Sequence, residues 1–511
     1  MKNFALITYT FEGAPIALKL KNEGVNVLVG VIEDRDDILT HIEHPKPEDK
    51  VEKERRLKTF DGLLEKMPAQ KLVDYLKSVP DKEEWFIYPD LNHCFKFSEM
   101  LKGMGFQGIF PTEEDRIMEV DRDEAKKFVA ENYPMISQNE VQEFSTIDEA
   151  RDFLEDAQEI YVLKGKDEDA PTIVPKSDDP ELAKQEILAG LELNIKDFEK
   201  SGFILEMMIK DAVEITPQAV WNNGQLVYMM VDIEAKPKGA GDVGELTGCS
   251  TDLIFWIDQT DYIAKVAFPE VVWQMAKEHE GVFFWDASLL ISRNTGKIYF
   301  GEFCANRPGY NCIYSELSNL NTAKEYFDKL EEGVNPFDNR KANFSGSVRI
   351  FSQERQCEGE SVYPTEEIGI IWKGDDNYWL MDGRQEDDKI ITCGYLEDLA
   401  VITGQGDTIT DLAENLYNNL KNFTFEAKKW TYRCRDDYTS TGYNTSLVNR
   451  FEYGNHIYYE QPDFNEDADK KQKAQDLEKQ LEEKYKNLSK ETKQSGEIDK
   501  FTSFVNDLIN G

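Results

Sequence analysis

Two carboxylates lie on a pair of apolar segments that have the pattern of a hairpin. Asp286 interrupts the run FFWDASLL, Glu302 interrupts IYFGEFCANRPG, and the turn Asn294-Thr295-Gly296 separates them. A carboxylate on an apolar strand is costly to bury unless a positive charge meets it. Mg²⁺ prefers hard oxygen ligands and often bridges nucleotide phosphates, so the pair suits a magnesium site. The alternative is that both carboxylates face solvent.

Three further charged residues lie at or near the ends of apolar strands. Glu206 interrupts the apolar run FILEMMI, and Glu214 follows after a short charged break. Such a segment can read a nucleotide base through its backbone while a carboxylate accepts from amino or ribose hydroxyl groups. A core strand with an edge glutamate explains the pattern equally well. Lys164 ends the strand EIYVLK, where lysines are usually solvated and a phosphate contact is the alternative.

A glycine-rich segment, KPKGAGDVGELTGCST, runs from Lys236 to Thr251. Its four glycines, with Asp242 and Thr247, predict a flexible loop whose backbone can approach a ligand closely. The spacing matches neither a Walker A sequence nor a dinucleotide-binding fingerprint. The pattern alone does not distinguish a ligand-contacting loop from an ordinary surface loop.

Composition narrows the class of partner. The 511 residues include 99 acidic and 59 basic side chains, for a formal net charge of -40. The electrostatic field of so negative a chain repels phosphates and anionic lipid, which disfavours direct binding of nucleic acid. An anionic ligand such as ATP then needs locally placed Lys and Arg, or a bound divalent cation. Small-molecule substrates are therefore the expected partners, with the chain a monomer or a homodimer.

Cysteine usage and hydropathy indicate a cytoplasmic protein. The seven cysteines are scattered without a CxxC pair, which fits reduced thiols better than disulfides or a zinc site. The sequence contains no run of 18 apolar residues, so no membrane span is expected. The first apolar run resembles a buried strand rather than a signal peptide.

The elements that would position these residues belong to an α/β protein. An apolar strand at 3–9, a helix at 13–21 and a strand at 25–32 form a βαβ opening, which argues for a parallel sheet. The order of the predicted strands and helices divides the chain into an N-terminal domain (1–112), a central domain (113–338) with a small subdomain (about 134–210), a mixed α+β C-terminal domain (339–440) and a polar tail (441–511). Ala474, Leu477, Leu481, Tyr485 and Leu488 predict an amphipathic helix in that tail.

Taken in order, several segments resemble those of phosphoribosylamine–glycine ligase, a member of the ATP-grasp superfamily. KPKGAGDVGELTGCS is similar to that family's K-R-x-x-D-G-D-x-G-P-N-T-G-G-M-G, and GEFCANRPG is similar to E-F-N-x-R-F-G. FILEMMIKDAVEI resembles the adenine-binding hinge, and GIFPTEEDRIMEVDRDEAKKF resembles the stretch that carries an ATP-contacting lysine. The likeness covers about residues 1–440. It implies an ATP-grasp fold with a parallel-sheet domain before it and a mixed domain after it.

The resemblance also implies a set of site residues. Arg122, Lys164, Glu206, Met208 and Glu214 would contact ATP; Asp286, Glu302 and Asn306 would hold Mg²⁺, with Mn²⁺ as an alternative ion; Arg307 and Lys236 would be catalytic; and Asp90, Asp242, Gly244, Thr247 and Gly248 would bind substrate. The implied reaction is attack of a carboxylate on the γ-phosphate of ATP, followed by displacement of phosphate from the acyl phosphate by an amine.

The departures from the family fall on its substrate contacts. The first glycine-rich loop is TYTFEGAP, the G-P-E element is Tyr88-Pro89-Asp90, and Cys304 stands where a metal-binding asparagine is expected. A thiol is a poor Mg²⁺ ligand, and Asn306 could replace it if the strand shifts locally. Three functions stay open: the purine-pathway glycine ligase, a ligase joining a different amino acid to a different amine such as a modified nucleotide, and a nucleotide-binding protein without catalysis.

Overall fold

The N-terminal strands form a parallel sheet, in agreement with the βαβ pattern. In the computed structural model the strand order is β3-β2-β1-β4-β5. The strands are β1 (Asn3–Thr8), β2 (Asn26–Val31), β3 (Lys66–Pro68), β4 (Trp85–Pro89) and β5 (Gln107–Gly108); the helices are α1 (Ala14–Asn22), α2 (Lys50–Lys58), α3 (Ala69–Ser78) and α4 (Phe95–Glu99). Residues 4–7 of β1 are fully buried, as expected for a parallel strand covered on both faces.

The structure describes residues 1–40, 49–166, 172–177, 179–196, 198, 202–209, 212–293, 295–359, 361–373, 376–426, 429–441 and 446–459. Met1–Arg293 and Lys297–Gln461 form one compact unit, to which all the following description applies. A second unit comprises Asn294–Gly296 and Pro462–Gly511. The predicted amphipathic helix at 474–488 lies outside the described residues.

Two capped helices, α5 (Glu113–Val120) and α6 (Arg122–Asn132), lead into a small antiparallel sheet. Its strand order is β6-β9-β7-β8. The strands are β6 (Val141–Phe144), β7 (Tyr161–Gly165), β8 (Thr172–Ile173) and β9 (Phe203–Met207), and the helices are α7 (Ile147–Asp156) and α8 (Pro180–Leu193). These elements share a hydrophobic core of their own, whose residues lie within the range predicted as a subdomain at about 134–210.

A large antiparallel sheet forms the centre of the molecule, with the path β14-β13-β10-β11-β12-β15-β22-β19. Its first five strands are β10 (Ala212–Asn222), β11 (Gln225–Gly239), β12 (Val243–Ile257), β13 (Val282–Ser292) and β14 (Ile298–Ala305). The helices α9 (Tyr262–Ala267), α10 (Glu270–Glu278), α11 (Cys312–Ser318) and α12 (Ala323–Glu332) accompany them. The predicted β13–β14 hairpin is confirmed, with Asp286 paired to Cys304.

The C-terminal strands continue the same sheet across the predicted boundary at 338. β12 pairs with β15 from Thr251↔Val348 to Phe255↔Phe344. The remaining elements are β15 (Phe344–Ser352), β16 (Arg355–Glu358), β17 (Ser361–Pro364), β18 (Gly369–Trp372), β19 (Tyr378–Leu380), β20 (Arg384–Glu386), β21 (Lys389–Ile391), β22 (Asp398–Gly406), β23 (Phe423–Phe425), β24 (Trp430–Thr431), α13 (Ile409–Leu420), α14 (Asp436–Thr439) and α15 (Leu447–Tyr459). Leu447 and Tyr458 of α15 are buried in the main core, so the first part of the predicted tail belongs to the body.

The prediction of a flexible glycine-rich loop at 236–251 is wrong. Lys236–Gly239 ends β11 and Val243–Thr251 begins β12, so the segment is the tip of a long antiparallel hairpin. Irregular pairing accommodates the glycines, with register shifts on either side of Pro237. In the part of the chain that the structure describes, no helix is both long and apolar enough to cross a membrane.

Candidate active site

A cleft of about 830 Å³ lies against one face of the large sheet. Alternate residues of a strand point to the same face, and four neighbouring strands supply polar side chains to this cleft. They are Glu214, Thr216 and Gln218 of β10; Asp232, Glu234 and Lys236 of β11; Asp286 and Ser288 of β13; and Glu302 and Cys304 of β14. Tyr9, Thr10 and Glu12, which follow β1, line it from the parallel-sheet side. Residues from three predicted domains therefore surround one cavity.

Lys236 joins two of the predicted site residues. Its Nζ donates to Glu214 Oε1 at 2.9 Å and to Glu302 Oε1 at 3.0 Å, and Glu214 also accepts from Ser288 Oγ at 2.7 Å. The Lys236 ammonium holds the pKa of Glu302 below its ordinary value. Burial opposes charge on Lys236, but the neighbouring carboxylates raise the pKa of its ammonium on balance. The structure thus brings together three residues that the sequence predicted separately.

Asp286 and Asn306 have different surroundings. Asp286 is 5% exposed, and its Oδ1 accepts from the Cys304 amide at 2.9 Å. Burial raises the pKa of the Asp286 carboxyl, although Arg307 opposes the shift. Asn306 is fully buried, and its Nδ2 donates to Asp115 at 3.0 Å. Its side chain does not line the cleft, so the structure does not bring it to Asp286 and Glu302 as the predicted metal set requires.

Arg307 lines the cleft and is fixed by a carboxylate on α5. Its Nε and Nη2 donate to Glu119, with Nη2 2.7 Å from Oε1. Because Glu119 holds two nitrogens of the planar guanidinium, the remaining N–H groups point in a fixed direction. The capping box between Thr112 and Asp115 begins the helix that carries Glu119. The geometry suits Arg307 to binding a planar anion such as a carboxylate.

A second group of cations surrounds Glu206 on β9. Lys164 Nζ lies 2.7 Å from its carboxylate and Lys126 Nζ lies 3.2 Å away. Burial by itself would raise the pKa of Glu206, but the two lysines lower it on balance. Arg122, at the start of α6, donates to the Gly165 carbonyl at 3.1 Å. Sequence reasoning missed Lys126, which lies one helical turn after Arg122 on the same helix.

Two small cavities lie beside this group of cations. One, of about 140 Å³, is lined by Arg122, Lys126 and Lys166 and shares Glu302 with the main cleft. The other, of about 30 Å³, is lined by Lys126 and Glu206. At the hinge after β9, the Met208 amide donates to the Ile160 carbonyl at 2.7 Å. Arg122, Lys164 and Glu206, three of the predicted nucleotide contacts, therefore lie in one positively charged region. Glu214 lies in the main cleft instead.

Most of the predicted substrate residues have structural partners instead. Asp242 accepts from Arg433 at 2.6 Å and from Arg450 at 3.2 Å, and Thr247 Oγ1 donates to the Lys236 carbonyl at 2.8 Å. Asp90 is fully buried and accepts from the Gly13 amide at 2.9 Å, which fixes the start of α1. Burial raises its pKa to about 7. Of the five predicted residues Asp90, Asp242, Gly244, Thr247 and Gly248, only Gly248 lines the main cleft.

Two carboxylates of the cleft were missed by the sequence reasoning. Asp232 is 2% exposed and Glu234 is half-buried, both on β11. Burial raises the pKa of Asp232, and nearby Asp252 adds to the shift. Burial also raises the pKa of Glu234 to about 8, although Lys236 opposes it. The alternation of charged residues in V-D-I-E-A-K was the signal that could have located them.

The carboxylate groups of Asp286 and Glu302 are of the type that binds a magnesium ion. Both are hard oxygen donors that lie diagonally on one sheet face, since Cys304 pairs with Asp286 and Glu302 precedes it by two residues. Lys236 already places a positive charge against Glu302. Within the described residues, no three His, Cys, Asp or Glu side chains converge into a ready-made metal site.

Known structures share this architecture. No protein-family model matches the chain, and no curated protein matches it in sequence. It is similar to phosphoribosylamine–glycine ligase from Thermotoga maritima at 16% identity and a TM-score of 0.56, covering 85% of this chain and 99% of that one. It is also similar, at 12% identity, to the biotin carboxylase domain of 2-oxoglutarate carboxylase from Hydrogenobacter thermophilus, solved with MgADP and bicarbonate, with a TM-score of 0.54 over 90% and 99% of the two chains.

A third structure extends the comparison. Biotin carboxylase from Campylobacter jejuni, solved as a β-γ-ATP complex, matches at 12% identity with a TM-score of 0.53 over 90% of this chain and 97% of that one. At these identities the likeness establishes the fold and not the reaction. The predicted class, an α/β protein with a parallel sheet before an ATP-grasp core, is confirmed: the chain has the ATP-grasp fold.

Proposed function

We propose that the protein is an ATP-dependent ligase that joins a carboxylate to an amine through an acyl phosphate. The observation that carries this proposal is that Glu302 lines two neighbouring cavities. Arg122, Lys126 and Lys166, which are suited to nucleotide phosphates, line the smaller cavity with Glu302, and Asp286 and Arg307 line the main cleft with it. The ATP-grasp fold of the solved ligases and carboxylases supports the same reaction class.

The nucleotide would lie between α6 and the small sheet. Arg122, Lys126 and Lys164 provide the positive charge that a chain of net charge -40 must place locally to attract ATP. Asp286 and Glu302 would hold Mg²⁺ or Mn²⁺, which when bound neutralises charge on the phosphate oxygens. Lys236, already paired with Glu302, would lie beside the same phosphates.

Arg307 would hold the substrate carboxylate, with Glu119 fixing the orientation of the guanidinium. A carboxylate oxygen attacks the γ-phosphorus, and the bond to the β-bridging oxygen breaks to release ADP. An amine then attacks the acyl carbon, the bond to phosphate breaks, and the nitrogen loses one proton. Phosphoryl transfer of this kind depends mainly on positioning and charge neutralisation.

The acid and the amine are proposed to differ from glycine and phosphoribosylamine. The loop TYTFEGAP lacks the basic residues of the family's first loop, and three of the five residues predicted to bind substrate have structural partners. The competing hypothesis is a nucleotide-binding protein without catalysis. Cys304, which lines the cleft beside Asp286, is the observation that favours it.

Transfer of labelled oxygen tests the proposal. Purified protein is incubated with MgATP, an amine pool and a pool of acids carrying ¹⁸O in the carboxylate, and released phosphate is examined by mass spectrometry. Label in phosphate, together with ADP release that needs both pools, is the expected result, because the acid donates one oxygen to the phosphoryl group. ADP release without label would overturn the acyl-phosphate route, and MgATP binding without any turnover would favour the non-catalytic hypothesis.

Glu302→Gln provides the matched test of the site. It should lower ADP release about 100-fold or more, because it removes a charged oxygen ligand of the divalent cation that would neutralise the phosphates. Glu245→Gln is the control, since that carboxylate is 81% exposed on β12 and pairs with Lys238. Equal activity of the two variants would contradict the assignment of Glu302.

A further inference from the structure

The cleft contains two carboxylates for which the proposed ligase chemistry has no use. Asp232 and Glu234 lie on β11, two residues apart on the same face, and both line the cavity. The rise of a strand places such residues about 6.6 Å apart along its axis. Asp232 is paired with Thr216 of β10 on one side and with Ile254 of β12 on the other. The two acids therefore lie on the floor of the cleft beside the side chains of β10.

Asp232 lacks a counter-charge among the described residues. It is 2% exposed, and its buried Oδ1 has no hydrogen-bond partner. Its electrostatic neighbours are four other carboxylates, namely Asp252, Glu234, Asp286 and Glu316. A buried carboxylate in such surroundings is strongly unfavourable unless a positive group reaches it. Asp232 lines a cavity that is large enough to admit such a group.

Three of the cations that line the cleft are engaged with other partners. Lys236 donates to Glu214 and Glu302, and Arg307 is paired with Glu119. Arg349 lies 2.7 Å from Asp398 and donates to Asn311. These three cations are therefore committed to other partners, which leaves a cationic ligand as a source of positive charge for Asp232.

Building on the proposed ligase function, we propose that its amine substrate is an organic dication, an alkyl chain that carries two protonated nitrogens, recognised by Asp232 and Glu234. The separation of the two carboxylates along one strand suits two charges at the ends of a short chain better than one ion. Diamines and basic amino acids share this chemistry.

The dication would react through one nitrogen. That nitrogen loses its proton, attacks the acyl carbon and forms the amide as the carbon–oxygen bond to phosphate breaks. A second proton leaves the nitrogen when the amide forms, and phosphate departs with the electron pair. The other nitrogen stays protonated against the β11 carboxylates, so it positions the substrate without entering the reaction.

Binding measured without ATP separates this proposal from the ligase proposal. Calorimetric titration of the full chain with putrescine, L-lysine and butylamine should show either dication binding at least about 10-fold more tightly than the monoamine. A preference for putrescine indicates a simple diamine and a preference for lysine indicates an amino acid; either supports the site. Equal affinity for butylamine and both dications would overturn it.

Variants locate the site. Asp232→Asn and Glu234→Gln should each abolish the preference for dications, whereas Glu245→Gln on neighbouring β12 should keep it; preserved melting curves show that each variant is folded. If the protein binds Mn²⁺ but neither dication, and Asp232→Asn removes the Mn²⁺ binding, the proposal is overturned in favour of a metal site.

Dication binding without acid-dependent ADP release would contradict the ligase proposal and support this site. Turnover of butylamine at the same rate as putrescine would support the ligase proposal and contradict the dication site.

Discussion

Glu206 connects two lysines at the proposed nucleotide site, and its charge should stabilise the fold. Because Lys164 and Lys126 lower its pKa below the unfolded value, near 4.3, its contribution is present at neutral pH and is lost as the pH falls through the folded pKa. Glu206→Gln should therefore lower the free energy of unfolding by roughly 2 kcal/mol at pH 7. The difference from the wild type should shrink below about pH 4.

Urea unfolding at pH 7 and pH 3.5 measures both parts of this prediction. The Glu245→Gln variant serves as the control, because an exposed pair contributes less than about 1 kcal/mol. A loss for Glu206→Gln that is the same at both pH values would indicate a packing effect instead of the loss of a charge.

Asp232 should have the opposite effect on stability. Burial, with Asp252 adding to it, raises the pKa of Asp232 above the unfolded value, so its ionisation opposes folding as the pH rises past about 3.9. Asp232→Asn should therefore raise the free energy of unfolding by roughly 1–3 kcal/mol at pH 7. The gain should disappear towards pH 4, as urea unfolding can measure. A destabilised variant would indicate that the carboxylate is paired in the folded protein.

At the scale of single residues, sequence patterns located charges better than their partners. Glu214, Lys236 and Glu302 each interrupt or end an apolar strand, and all three meet in one cluster. Asn306 follows the same strand, yet its backbone has a positive φ of 49° and its amide turns toward Asp115. A local reversal of this kind depends on tertiary contacts, so spacing along the strand could not predict it.

At the scale of the element, the tip of the β11–β12 hairpin is held by an ion-pair cluster instead of a ligand. Asp242 has a positive φ of 59° and pairs with Arg433, which is 1% exposed, and with Arg450. Asp242→Ala should lower the free energy of unfolding by about 3 kcal/mol, because it removes these pairs and puts alanine at a strained φ. Asp242→Asn should lower it by about 1 kcal/mol, since asparagine keeps an acceptor and tolerates this conformation.

Kinetics distinguish this role from substrate binding. Because the Asp242 side chain does not line the cleft, kcat/KM for ADP release should change less than about threefold in Asp242→Asn. A large loss of kcat/KM with unchanged unfolding would restore the prediction that Asp242 binds substrate.

The hairpin also shows why the loop prediction failed. Gly239, Gly241 and Gly244 favour a turn locally, and Gly241 and Gly244 do have positive φ. The flanking strands nevertheless extend into the segment because Arg433, Arg450 and Asp437 come from elements about 200 residues later and fix the tip. The strands that carry long apolar runs, such as β1 and β13, were predicted well because burial alone specifies them.

At the scale of the whole molecule, the large sheet extends across the predicted boundary at 338. The predicted division at 338 separates β12 from β15, which are adjacent in one sheet. The order of elements along the sequence carries no information on the pairing of strands about 95 residues apart. The proposed ligase core and the C-terminal strands therefore share one hydrophobic core.

This continuity predicts the result of truncation. A chain that ends at Asp338 would leave β12 as an unpaired edge and would expose Leu253 and Phe255, which are buried against the C-terminal layer. It should aggregate or unfold over a broad range of urea, with weak near-ultraviolet circular dichroism. A chain that ends at Gln461 keeps every described strand and should unfold in one sharp transition with the midpoint of the full chain. A sharp, wild-type-like transition in the shorter fragment would instead establish the boundary at 338 as a domain boundary.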